Sequence, residues 1–219
     1  MNSCSICDEI QKKNNEVYLK IKKSRFIYQD EDLILYPTIG SFIEGYVLLS
    51  SKEHYYSLYD CSDRIVNKIK KIIKPIRDYY ENNLHSDVIF FEHGTVDDSS
   101  LSSSSITHFH IHFLPVKERL WDKINNEYHF DYYVIDSIMD IKELIKEKSI
   151  KSYLLFNDID NKCYVIDCSN KQYPSQFLRK VLYKYYYNLE DDCWNWRIYP
   201  YYDNMLRTID LFKDFNLKK

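Results

Sequence analysis

The chain has 219 residues, 45% hydrophobic and 29% charged, with a formal net charge of -3. That balance suits a globule with a real core and gives no global argument for duplex nucleic-acid binding, which favours basic surfaces, although a local basic pocket is still allowed. Only 3 glycines are present. Glycine-rich phosphate loops and dinucleotide fingerprints, which rely on glycine for close backbone approach, are therefore excluded.

The chain begins with the motif Cys4-Ser5-Ile6-Cys7. Alone, this spacing is compatible with redox chemistry, a metal site or chance. A redox motif of this type opens a helix after a strand, and no strand precedes it here. Residues 25–29 and 33–36 are expected as short strands around the acidic turn Asp30-Glu31-Asp32. Residues 45–50 form a third strand, apolar enough to be buried, and His54 follows it. The strongest helix covers residues 62–83. Ile65, Val66, Ile69, Ile72, Ile73, Ile76, Tyr79 and Tyr80 share one face, and Pro75 predicts a kink or a broken turn. Residues 87–92 read as a strand and 96–105 as a polar loop. Residues 107–114 form a further strand, closed by Pro115.

Beyond a soft boundary between residues 116 and 130 the pattern changes. A short amphipathic helix is expected at 138–148. Strands at 152–157 and 162–168 flank the turn Asp158-Ile159-Asp160-Asn161 as a hairpin, and helices follow at 174–187 and 204–215. The whole reads as α+β. Residues 1–118 form an antiparallel sheet of about five strands with a long helix, and 119–219 form a small α+β extension packed on it.

The chemistry is concentrated in Thr107-His108-Phe109-His110-Ile111-His112-Phe113-Leu114. Alternate side chains of a strand share a face, so His108, His110 and His112 point one way at roughly 6.6 Å intervals. Phe109, Ile111 and Phe113 point into the core. A polar outward face and a three-histidine metal site are the competing readings. Cys4 and Cys7 need two more nitrogen or sulfur ligands to make a structural zinc site, and His54 with His108 would complete a Cys2His2 set.

His108-Phe109-His110-Ile111-His112-Phe113-Leu114 resembles the signature of the histidine triad (HIT) superfamily. The resemblance covers roughly residues 4–116, with the Cys-x-x-Cys motif, the segment 35–54, the long helix and the triad strand in the family's order. It is closest to zinc-containing microbial HIT hydrolases and the galactose-1-phosphate uridylyltransferase branch. It implies a HIT-like fold and a structural zinc held by Cys4, Cys7, His54 and His108. It also implies a nucleotide hydrolase or nucleotidyltransferase that forms a covalent nucleotidyl intermediate on His110, with His112 as donor or proton carrier. The expected substrate is a nucleotide or dinucleoside polyphosphate.

Ser104 and Ser105, where relatives often carry glycine, and Glu92, His93 and Gly94 are candidates for substrate binding. Glu92 stands where many members have Asn, and a carboxylate beside phosphate would repel it. In the tail, Gln176 and Arg179 share a helix face, and arginine binds phosphate well. Arg179 is therefore a further candidate, against the alternative of a packing domain with surface arginines. A non-catalytic RNA- or nucleotide-binding module of the splicing-factor type is the second functional reading. The small relatives' dimers make a homodimer an option. No apolar run approaches the roughly 18 residues of a membrane span. The first residues lack a secretory pattern, and the 6 cysteines read as thiols or metal ligands. A cytoplasmic location is the expectation.

Overall fold

The computed structural model describes residues 4–11, 16–96, 108–171, 173–189 and 191–217. The strands are β1 (Tyr28–Gln29), β2 (Leu33–Pro37), β3 (Val47–Ser51), β4 (Asp87–Thr95), β5 (His110–Val116), β6 (Tyr132–Ile135), β7 (Ser152–Asn157) and β8 (Cys163–Asp167). The helices are α1 (Ser5–Ile10), α2 (Glu16–Ile21), α3 (Asp63–Tyr79), α4 (Trp121–Tyr128), α5 (Ile141–Lys148), α6 (Phe177–Tyr187) and α7 (Tyr202–Leu211).

All eight strands lie in one sheet, in the order β1-β2-β3-β5-β4-β7-β8-β6. Every pairing is antiparallel. The first five strands come from residues 28–116, and the later segment adds three more along the outer edge of β4. The reason lies in composition. Val88, Ile89, Phe90 and Phe91 of β4 are buried on both faces, so β4 needs a partner on each side and a covering layer on each face. β7, with Tyr153, Leu154, Leu155 and Phe156 all buried, supplies the partner. The expected division after residue 118 thus falls between strands of a single hydrogen-bonded sheet.

On one face, α3 lays Ile65, Val66, Ile69, Ile72 and Ile76 against Leu35, Leu49, Phe90, Ile111 and Phe113, with Ile141 and Ile145 of α5 and Phe212 and Phe215 joining the same core. On the other face, Ile6 of α1, Trp121 and Ile124 of α4, and Phe177, Leu178, Val181 and Leu182 of α6 cover Tyr36, Leu48, Phe91 and Leu154. The two layers are not equivalent. The second is assembled from short elements and carries the polar site.

Pro75 does not break α3. Both Pro75 and Lys71, whose carbonyl loses its partner, lie on the solvent side, where water can satisfy that oxygen. The helix instead changes winding after Tyr79, passing into a π-helical turn at Tyr80–Leu84. β1 is shorter than residues 25–29, because Arg25 turns inward to bind Glu9 and the carbonyl of Pro37. The short helices α1, α2 and α4 and the edge strand β6 were not anticipated. α4 is fixed from outside by Asp158, whose carboxylate accepts from the N–H groups of Leu120 (3.0 Å) and Trp121 (2.6 Å) at its first turn. The tail folds back over the β2–β3 connection. Gly40 donates to the carbonyl of Pro200 at 2.8 Å, and Gly45 to the hydroxyl of Thr208 at 3.0 Å. Among the described residues, no helix is long and apolar enough to cross a membrane.

Candidate functional site

β5 carries the site, and its neighbours fix which way it faces. Phe109, Ile111 and Phe113 enter the α3 core, so the alternate positions His110 and His112 face the second layer. His108 precedes the strand rather than opening it, but the backbone stays pinned by a 2.6 Å bond from the Phe109 N–H to the carbonyl of Tyr55. Pairing β4 with β5 sets Phe91 opposite His112. Two residues on, His93 joins the same face and lines the same cavity as His110 and His112.

The inner histidines have different partners, and that of His110 defines its tautomer. His110 Nδ1 lies 2.7 Å from the carbonyl oxygen of His108. A carbonyl only accepts, so Nδ1 carries the hydrogen and Nε2 keeps its lone pair. The His112 ring stacks on Phe91 at 4.5 Å and 4°, and its Nδ1 lies 2.7 Å from the Tyr46 hydroxyl. Burial pushes Tyr46 up to about 12, so the phenol keeps its proton and is able both to donate to Nδ1 and to accept from it. Burial also lowers His110, and lowers His112 well below its usual range, with the charge of Arg179 acting in the same direction on both. His93 falls to about 4 through burial and the neighbouring His110. The row is therefore neutral at neutral pH. It offers a lone-pair nitrogen on His110 beside the imidazole of His112, with ring centroids 4.9 Å apart.

Cys4, Cys7, His54 and His108 come together at one end of this row, their ligand atoms all within 4.8 Å of one another. Cys4 Sγ lies 3.5 Å from His108 Nδ1, and Cys7 Sγ lies 3.4 Å from both His54 Nδ1 and His108 Nδ1. Tetrahedral zinc, with bonds of roughly 2.3 Å to sulfur and 2.0 Å to nitrogen, requires sulfur–nitrogen separations of about 3.5 Å. The donor set fits. His108 Nε2 donates to the carbonyl of Ser51 at 2.8 Å, which turns the Nδ1 lone pair toward the sulfurs. The remaining thiols, Cys61, Cys163, Cys168 and Cys193, are free.

The other candidates divide. Arg179 is brought into the cavity from α6 and is almost fully buried. Glu92 is not beside the triad. Alternation along β4 sends it to the α3 face, where its carboxylate accepts from the Leu58 N–H (2.7 Å) and the Tyr153 hydroxyl (2.8 Å). Gly94 shares that face, and a Cβ there would collide with the Tyr153 ring. Both residues build the support for β4 and not the cavity. Ser104 and Ser105 lie outside the described residues. Two contributors had gone unrecognised. Tyr46 and Phe91 flank His112, and both could have been found by carrying the strand alternation of residues 45–50 and 87–92 across to the triad face.

These features define an α+β protein with a histidine row on its sheet and a Cys2His2 cluster at one end of that row. The chain belongs to the family described as "Protein similar to CwfJ C-terminal", whose profile matches residues 1–129. No curated protein sequence matches it. Among solved structures, a HIT family protein from Bacillus anthracis is similar at 16% identity over 67% of this chain and 97% of that one, with TM-score 0.44. A zinc-bound histidine triad family protein from Mycobacterium smegmatis is similar at 20% identity over 53% and 76%, with TM-score 0.41. A HIT-like protein from Bartonella henselae described as involved in cell-cycle regulation is similar at 19% identity over 54% and 83%, with TM-score 0.42.

Proposed function

We propose that the chain is a HIT-type nucleotide hydrolase or nucleotidyltransferase acting through His110. The observation that carries this reading is the fixed tautomer of His110. Its Nδ1–H is held by the His108 carbonyl, so Nε2 faces the cavity as a lone pair. Burial keeps that nitrogen unprotonated, which is the state a nucleophile needs.

His110 Nε2 attacks the α-phosphorus of a nucleotide ester, anhydride or phosphoramidate. The new N–P bond forms as the bond from phosphorus to the leaving group breaks, and the leaving group departs with the electron pair. With the Tyr46 hydroxyl donating to its Nδ1, His112 presents Nε2–H to the phosphoryl oxygen, and the departing atom leaves as the anion or takes its proton from solvent. Water or another acceptor then attacks phosphorus and expels His110, which regenerates the neutral imidazole. The protein's contribution is positioning and stabilisation of developing charge in a water-poor cavity. A zinc ion held by Cys4, Cys7, His54 and His108 would be structural, since four protein ligands leave no open position. His54, Cys4 and Cys7 would tie α1 and the β3–α3 connection to the start of β5.

The test is incubation with diadenosine polyphosphates and an adenylated lysine, followed by a search for an acid-labile phosphoramidate adduct and for turnover. The expected result is an adduct on His110 that disappears in His110→Ala. No adduct and no turnover on any of these substrates, with binding retained, would replace this reading by that of a nucleotide- or RNA-binding module.

A further inference from the structure

Arg179 sits at the first turn of α6, only 3% exposed. Its guanidinium lies over the rings of Tyr46 and Phe42, 5.1 and 5.6 Å from their centroids. Nη2 donates to the carbonyls of Gly40 and Trp194. Nε and Nη1 are buried without a hydrogen-bond partner. Among the described residues no carboxylate pairs with it. Of the acids lining the cavity, Glu9 is held by both Nε and Nη2 of Arg25. A buried cation with half its donor fork unused is costly to keep, unless a ligand completes it.

The position of those donors is equally pointed. Arg179 rests on the buried Tyr46, Tyr46 bonds His112, and Arg179, His112 and His110 line one cavity. Gln176 lines the same cavity and presents Oε1, a buried acceptor without a partner. Most of the remaining lining is apolar, including Ile6, Leu48 and Phe177. Unpaired cationic N–H groups together with an unused acceptor suit a ligand with a compact anion and a hydroxyl or amine beside it.

We propose that Arg179 is a phosphate-binding residue of the triad cavity, so that the segment after the triad, through α6, completes the substrate site. This deepens the nucleotide reading and rests on it for the nature of the ligand. The anion is the phosphoryl group presented to His110, held from the side opposite the histidines. The attached nucleoside supplies the donor that meets Gln176. Arginine suits the task, because it can give a phosphate oxygen a charge-assisted N–H from Nε or Nη1 while Nη2 stays on the Gly40 and Trp194 carbonyls. The closure also explains Gly40. Its φ is +73°, and a Cβ there would strike Trp196 and the Arg179 guanidinium.

The experiment measures AMP and adenosine binding by calorimetry, using full-length zinc-loaded protein in a His110→Ala background that cannot turn over. Wild-type Arg179 should favour AMP over adenosine. Arg179→Met should cut that preference about 10- to 100-fold while adenosine affinity stays level. Arg179→Lys should restore part of it. An AMP-to-adenosine ratio unchanged by Arg179→Met overturns the proposal. In case Arg179→Met does not fold, nitrogen-15 arginine NMR of the Arg179-containing protein gives a second measurement. The Nε–H signal of Arg179 should move on addition of AMP and stay put with adenosine, and a signal blind to AMP overturns the proposal. Absence of an adduct on the protein that retains His110, with the AMP preference intact, would remove the catalytic reading and leave the phosphate site standing.

Discussion

Replacing Glu92 with glutamine isolates one buried charge. Glu92 is 2% exposed, and its two oxygens accept from the Leu58 N–H and the Tyr153 hydroxyl. Burial raises its carboxyl from 4.5 to about 7, and these two hydrogen bonds only partly offset that. Glu92 is therefore harder to ionise in the fold than in the unfolded chain, and the native state binds the extra proton. Its contribution to stability is fully present below pH 4.5 and is lost as pH rises through about 7. At about 1.4 kcal/mol per pH unit between the two values, the loss is about 3 kcal/mol. The groups facing it do not blur the window. Cys61 and Tyr153 are both pushed upward by burial and by Glu92 itself, and both stay protonated throughout.

Urea unfolding of wild type and Glu92→Gln, in the same metal state, should be compared from about pH 4.5 to about pH 8.5. Glutamine keeps the shape and an acceptor oxygen but cannot ionise, so the variant should gain on wild type by about 3 kcal/mol across the range. Metal release at low pH affects both proteins alike and cancels in the difference. A difference that stays constant with pH would refute the reasoning, because it would mean Glu92 titrates alike in folded and unfolded chains.

Two further outcomes test the supports of the site. Purified protein should contain about one zinc per chain, and Cys4→Ser with Cys7→Ser should bring this close to zero and lower the thermal midpoint. An unchanged metal content in that double variant would show the ion is held elsewhere. Gly94→Ala should destabilise by about 1–3 kcal/mol through overpacking against the buried Tyr153 ring. An unaltered urea midpoint would show that Tyr153 has room to withdraw.

How much of this was legible in the sequence depends on how far apart the cooperating residues lie. The alternation from His108 to Phe113 is local, so the face of the triad strand and its core partners could be read directly. The four residues of the Cys2His2 cluster were legible for a chemical reason: few side chains can bind zinc, and Cys-x-x-Cys restricts the search to a handful of histidines. The long helix was equally plain, although its passage through Pro75 depended on which side of the helix faces water.

Glu92 shows where local reading stops. It follows Phe91 directly and looks like part of the same site, yet one residue along a strand reverses the face. The β4–β5 register, with Phe91 opposite His112, decides that His93 faces the cavity and Glu92 faces α3. The sequence by itself determined the histidine row, the Cys2His2 set and the antiparallel α+β plan, because each rests on short-range periodicity or on ligand chemistry. Only the tertiary structure decided that three later strands extend the same sheet along β4, and that Arg179 enters the cavity from more than 60 residues beyond the triad. Those outcomes depend on pairing and burial between distant segments, and no local pattern records which surface a free sheet edge or a helix face will meet.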